Sequence, residues 1–359
     1  MKKYMDFHTK DKAIDPAIDN VAYCTQRDEL KEKEWCPFLT FPATKLCNFK
    51  CMYCGFGGET TASEKDCVSL DMIKEYVEIA TKLGITKIRI SGGEPFLHPQ
   101  IGEILKYLSE TGLYVLVNTN GSQIIRNKSV IDALNTNVMF AVSFDTLKED
   151  VLKDISNVKC HSDIINGIKY LNAHGNLLRL NMVYSQKNKT EVFEIIKFCQ
   201  ELRCDLKILD IVSVPAPFSQ ERQNFYSEVN SLEKEFLDRC DEVYSHEYSR
   251  RFGTPCFRYR FGDVFVTVKN SKKGAHYDVS SADALCKRCP WYPCHEGLYD
   301  IFALPDGRLC SCRWTEEQKF DTPEAQMQYL ITLFQRSRFV PTGYNDDMKS
   351  RADLLNKFY

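Results

Sequence analysis

Six short runs of β-branched and aromatic residues recur in the N-terminal part of the chain, at 37–42, 87–91, 114–118, 138–143, 178–183 and 206–212. Between them apolar residues return every three or four positions, most clearly as Met72, Tyr76, Ile79, Ala80 and Leu83 and again over 192–202. Runs rich in β-branched and aromatic residues suit strands, and the three-to-four spacing suits helices that pack by one face. Strands alternating with helices predict right-handed βα units and a parallel sheet, an α/β fold. The regularity ends near Pro215, Ala216 and Pro217. Beyond it the pattern predicts a polar helical stretch over 219–248, a strand over 261–268, and a hairpin of 298–304 and 308–312 turned by Pro305, Asp306 and Gly307. Residues 1–36 are polar with weak periodicity. Expected units are therefore an extension (1–36), an α/β unit (37–215), a Cys-bearing region (216–315) and a helical tail (316–359).

The chemically suggestive residues fall at the C-terminal ends of the predicted strands, where parallel α/β folds place their sites. First among them is a C-x3-C-x2-C triplet, Cys47, Cys51 and Cys54, directly after the first strand. Three closely spaced thiols can hold three iron corners of a cubane cluster and leave the fourth open for chemistry. Zinc and unrelated free thiols are the alternatives, although a structural zinc site normally closes with four ligands and no fourth partner stands nearby.

Composition narrows the setting. Net charge is −2 with a pI near 6.4, so no global basic field favours nucleic acid or an anionic membrane. The sequence holds 16 Cys, opens without an apolar signal core, and has no run approaching the roughly 20 apolar residues of a membrane span. A reducing cytoplasm is expected, where clustered Cys read as metal ligands and scattered ones such as Cys160, Cys199 and Cys204 as small buried residues.

The triplet, with Tyr53 as the aromatic before its last Cys, resembles the defining loop of the radical S-adenosyl-L-methionine (SAM) superfamily. The resemblance continues through Gly92-Gly93-Glu94-Pro95, Asn118-Thr119-Asn120-Gly121 and Ser143-Phe144-Asp145, and covers roughly residues 37–315. Order and spacing look most like the molybdenum-cofactor GTP 3',8-cyclase and SPASM/Twitch-domain enzymes. What this implies is an open, partial (β/α)6 barrel with a Twitch-like auxiliary iron–sulfur region, two [4Fe-4S] clusters, SAM, and an electron donor such as flavodoxin or ferredoxin. It also implies SAM contacts at Tyr53, Gly92, Gly93, Glu94, Asn118, Thr119, Ser143, Asp210 and Val212. Glu94 would accept from the SAM ammonium, with the glycine pair letting backbone approach the methionine end. Each polar residue of this set is, on its own, equally readable as a strand-end turn or helix cap.

Cys286, Cys289 and Cys294 form a second group. The spacing from Cys294 through Gly307 to Cys312 fits the Twitch signature, so these four are candidate ligands of an auxiliary cluster, with a zinc knuckle as the alternative and Cys310 competing with Cys312. Only one of Cys310 and Cys312 is expected to point inward. Arg89 and Arg179 match basic positions that grip triphosphate in the cyclase. Thr40, Asp300 and Phe302 stand where the resemblance would place further arginines. These departures favour oxidation, by dehydrogenation or cross-linking, of a small metabolite or peptide. A cyclase-type nucleotide rearrangement and a non-catalytic iron–sulfur or zinc protein are the alternatives. No catalytic residue is singled out.

Overall fold

The computed structural model describes residues 4–6, 37–54, 61, 63–211, 224–245, 256–270, 300–312 and 320–336. Six βα units begin at the expected places: β2 (Phe38–Thr44), β3 (Lys87–Gly92), β4 (Tyr114–Thr119), β5 (Val138–Ser143), β6 (Leu177–Val183) and β7 (Asp205–Leu209). Neighbouring members of this series pair in parallel and in order. Helices α1 (Leu70–Lys82), α2 (Ile101–Glu110), α3 (Lys128–Ile131), α4 (Glu149–Ser156), α5 (His161–His174) and α6 (Val192–Leu202) lie between them. The start of α1 shows the local logic: Ser69 remains extended and its hydroxyl accepts from Met72 N–H at 3.1 Å, satisfying one of the orphan donors of the first turn.

The sheet runs on past both ends of this series. A strand β1 (Tyr4–Asp6), then β8 (Glu242–Ser245), β9 (Cys256–Phe261) and β10 (Val264–Lys269), extend the β7 edge. At the β2 edge β11 (Asp300–Ala303) pairs in parallel and β12 (Leu309–Cys310) folds back on it. Among the described residues twelve strands result, in an order with two free ends, so the barrel is open. Helices α7 (Val229–Arg239) and α8 (Pro323–Arg336) complete the described elements.

Two expectations need correction. The run at 261–268 is a hairpin, not one strand: Gly262 adopts φ +62° and turns β9 into β10. Within the predicted helical stretch, α7 is followed by a strand, β8, which satisfies its backbone on β9.

Strand alternation gives the sheet two unlike faces. Leu39, Phe41, Ile88, Ile90, Val115 and Val117 pack with the helices in the main core. On the other face a small apolar patch of Phe38, Tyr114, Leu116 and Ala141 is built from strand residues alone. Lys87, Arg89 and Ser91 share that second face, since they alternate with Ile88 and Ile90 along β3.

Candidate active site

Thr44 ends β2, and the three thiols follow within the next ten residues. Two short backbone bonds clamp the entry of this loop to the end of β3. Gly93 N–H donates to the Thr44 carbonyl and Glu94 N–H to that of Leu46, each at 2.7 Å. The approach is so close that a Cβ on Gly93 would stand 2.0 Å from the Leu46 oxygen, and one on Gly92 2.6 Å from the Thr44 oxygen. Gly92 also holds φ +116°, which side chains rarely adopt. The steric demand for two glycines therefore comes from the Cys loop itself, whereas the sequence reading assigned it to a ligand.

The loop is held from two further sides. Lys50 and Met52 N–H donate at 3.0 Å to Ser156 and Ile155, using carbonyls left over in the last turn of α4. The Tyr53 hydroxyl donates to Asp145 Oδ2 at 2.5 Å, while Asp145 Oδ1 accepts from Val183 N–H at 2.7 Å. Across the loop the Asn120 side chain donates to Asn48 Oδ1 and Asn48 donates on to Ser122 Oγ, both at 2.9 Å.

Glu94 lies beneath this assembly with no exposure, and its carboxylate faces inward. Oε1 accepts from Phe96 N–H (3.2 Å) and Thr119 Oγ1 (2.7 Å), and Oε2 accepts from Asn120 N–H (2.7 Å). The side chain thus latches the end of β3 to the end of β4. Burial pushes its pKa up to about 7 against the pull of these donors. Glu94→Ala would strip the acceptor from three buried donors and should lower stability by on the order of 3 kcal/mol. A denaturant midpoint reads this, and an unchanged midpoint would contradict the latch.

These attachments surround a cavity of about 190 Å³. Cys47, Cys51 and Cys54 all line it, with Tyr53 beside them. From the ends of β3, β4 and β5 come Gly92, Gly93, Asn118, Thr119 and Ser143. Lys45, Asn120, Asp145 and His161 also reach it and had no assigned role from the sequence, although Asn120 and Asp145 lie inside segments that carried the family resemblance. Arg89 and Arg179 sit on the second face without lining this cavity, and Asp210 is buried just past β7, also away from it. Val212, Cys286, Cys289 and Cys294 fall outside the described residues. Cys310 is buried and Cys312 half-buried. Residues two apart share a strand face, so alternation does not separate these two; instead β12 ends at Cys310 and Cys312 lies beyond it.

Chemically the cavity offers two things. Burial raises the Cys47 and Cys51 thiols above their ordinary range, with the carboxylates of Glu94 and Asp145 adding to it. All three thiols of the C-x3-C-x2-C loop line this one cavity. Three thiols from one loop in one cavity suit a multi-iron cluster with one open corner. Asn118 Oδ1, for its part, is buried and has no partner among the described residues, an acceptor that a bound polar ligand would satisfy.

Residues 41–199 match the radical SAM superfamily. The chain carries a radical SAM domain. It is 25% identical over 296 residues to a protein described as a probable GTP 3',8-cyclase of Methanothermobacter marburgensis, covering 80% of this chain and 87% of that one. Its fold is similar to that of Streptococcus suis SuiB bound to S-adenosylmethionine, with a TM-score of 0.56 at 15% identity over 94% of this chain and 73% of SuiB. SuiB bound to its precursor peptide SuiA gives a TM-score of 0.55 at 16% identity, over 97% and 74% of the two chains. A radical SAM domain uses SAM and one [4Fe-4S] cluster, and the residues present fit that pair: three thiols in one cavity that Gly92 and Gly93 also line, and the open acceptor of Asn118. Among the described residues no helix is long and apolar enough to cross a membrane.

Proposed function

We propose that this radical SAM enzyme oxidises a small metabolite or a peptide, not a nucleotide. The observation that carries this reading is the ion pair between Arg89 and Asp300, at 2.5 Å with both side chains largely buried. Arg89 matches a basic position that grips triphosphate in the cyclase, and its charge is already answered by a carboxylate. A triphosphate brought to that place would face Asp300 as well as Arg89, and like charges in a poorly solvated site repel strongly.

Within the site, Cys47, Cys51 and Cys54 would hold the cluster, and Asn118, Thr119 and Ser143 would orient SAM from the strand ends. When bound and reduced by a donor such as flavodoxin or ferredoxin, this pair supplies the 5'-deoxyadenosyl radical that takes a hydrogen atom from substrate. Cys286, Cys289, Cys294 and Cys312 are the proposed ligands of a second, auxiliary cluster in a Twitch-like region over 216–315. The substrate, having lost a hydrogen atom, would pass one electron to that cluster and release a proton, completing a dehydrogenation or cross-link. About eight iron atoms per chain are expected on this reading, against about four without the auxiliary cluster.

A second reading, cyclase-type rearrangement of a nucleotide, is favoured by the probable GTP 3',8-cyclase relative and by the presence of Arg89 and Arg179. Calorimetry of GTP against the reconstituted, SAM-loaded chain separates the two. Each lost charge-assisted phosphate contact is worth roughly 1.5–3 kcal/mol, so GTP should bind orders of magnitude more weakly than at a complete triphosphate site. Low-micromolar affinity would overturn the non-nucleotide reading.

A further inference from the structure

Three polar atoms without a hydrogen-bond partner among the described residues lie on the adjacent strands β11, β2 and β3. They are Asp300 Oδ1, Thr40 Oγ1 and Arg89 Nε. Register puts them together: Asp300 is paired with Phe38, and Thr40 stands between Phe302 and Arg89. Thr40 is 1% exposed and Asp300 7%. Arg89 lies over the Phe38 ring, 4.2 Å from its centre, while Lys87, 5.0 Å from the same ring, has a further partner of its own. Ser91, the next second-face residue along β3 from Arg89, lines the cavity described above. Buried polar atoms are normally satisfied, so three orphans on adjacent strands mark a place built for a ligand group.

The chemistry of that group follows from the atoms. Arg89 Nε can only donate, Asp300 Oδ1 accepts, and Thr40 Oγ1 can do either. The Arg89 and Asp300 charges cancel, and the floor beside them is the apolar patch of Phe38, Tyr114, Leu116 and Ala141. We infer that this cluster is a specificity-determining subsite for an uncharged group carrying both a donor and an acceptor, a carboxamide, and that Asp300 acts as a built-in anion that keeps phosphate from Arg89. A carboxamide N–H would donate to Asp300 while its carbonyl accepts from Arg89 and Thr40. Main-chain amides of a peptide and a small-molecule amide share this chemistry. The inference deepens the non-nucleotide reading and rests on it.

The test uses the full, cluster-reconstituted chain and two probes, inorganic tripolyphosphate followed by calorimetry and N-acetylalaninamide followed by ligand-observed NMR. Wild type should contact the amide at millimolar concentration and show no measurable tripolyphosphate heat. Asp300→Ala should reverse the preference, losing the amide contact and tightening tripolyphosphate by roughly ten-fold or more, since one charge-assisted partner is released. If Asp300→Ala does not fold, the wild-type comparison decides alone: tripolyphosphate bound in preference to the amide overturns the subsite. A folded Asp300→Ala with wild-type preferences overturns this inference and leaves the oxidative reading standing. Low-micromolar GTP binding by wild type instead sinks the non-nucleotide reading beneath it.

Discussion

Replacing Cys47, Cys51 and Cys54 together by Ala should yield a folded chain that has lost about four iron atoms and all ability to cleave SAM. The fold should survive because the loop is held mainly by backbone and by other side chains: Lys50 and Met52 N–H on the end of α4, Tyr53 on Asp145, Asn48 on Asn120 and Ser122. None of these contacts uses a thiol. Iron analysis after anaerobic reconstitution, with far-UV circular dichroism as the control, reads the result. Iron content equal to wild type would mean that the triplet is not the ligand set.

A valine at Gly93 should do more damage than any other single substitution around the cavity. Its Cβ would meet the Leu46 carbonyl oxygen at 2.0 Å and that of Lys45 at 2.9 Å, and both obstacles are backbone, which cannot swing aside as a flexible side chain does. To relieve the clash the Cys loop must leave β3, breaking the bonds from Gly93 and Glu94 and moving Cys47 away from the cavity. A loss of about 4 kcal/mol or more, at the extreme of single substitutions, is expected together with loss of SAM binding. Because the conflict begins at Cβ, Gly93→Ala should show most of the same loss. Denaturant unfolding and calorimetry with SAM measure both effects, and an alanine variant that folds and binds SAM like wild type would show that the clamp is unimportant.

The order of strands and helices was legible because β4 and β5 read as near-continuous apolar runs and β3, β6 and β7 carry alternating apolar residues, and α6 appears at 192–202 as the spacing predicted. Where the pattern misled, the reason is local. Phe261 and Val264 flank a turn of only two residues, so β9 and β10 blend into one apolar run until the positive φ of Gly262 divides them. β8 is four residues long and polar at both ends, and it is a strand because β9 and β1 supply its partners. At the site, the thiols were legible as a spacing, since three ligands of one cluster lie within one loop. Their supports were not, because Asn48 finds Ser122 and Tyr53 finds Asp145 at separations of 74 and 92 residues. Glu94 shows the remaining limit: an acidic residue after two glycines is visible in sequence, but whether it faces a ligand or its own backbone depends on where the chain puts its donors.

The central claim, that the cavity at the Cys loop performs radical SAM chemistry, is tested most directly by incubating the reduced, iron-reconstituted chain with SAM and measuring 5'-deoxyadenosine. The account predicts its formation at near one equivalent per chain without substrate, and none from the Cys47, Cys51 and Cys54 triple variant. SAM recovered intact from a wild-type chain that holds its iron and is fully reduced would contradict it.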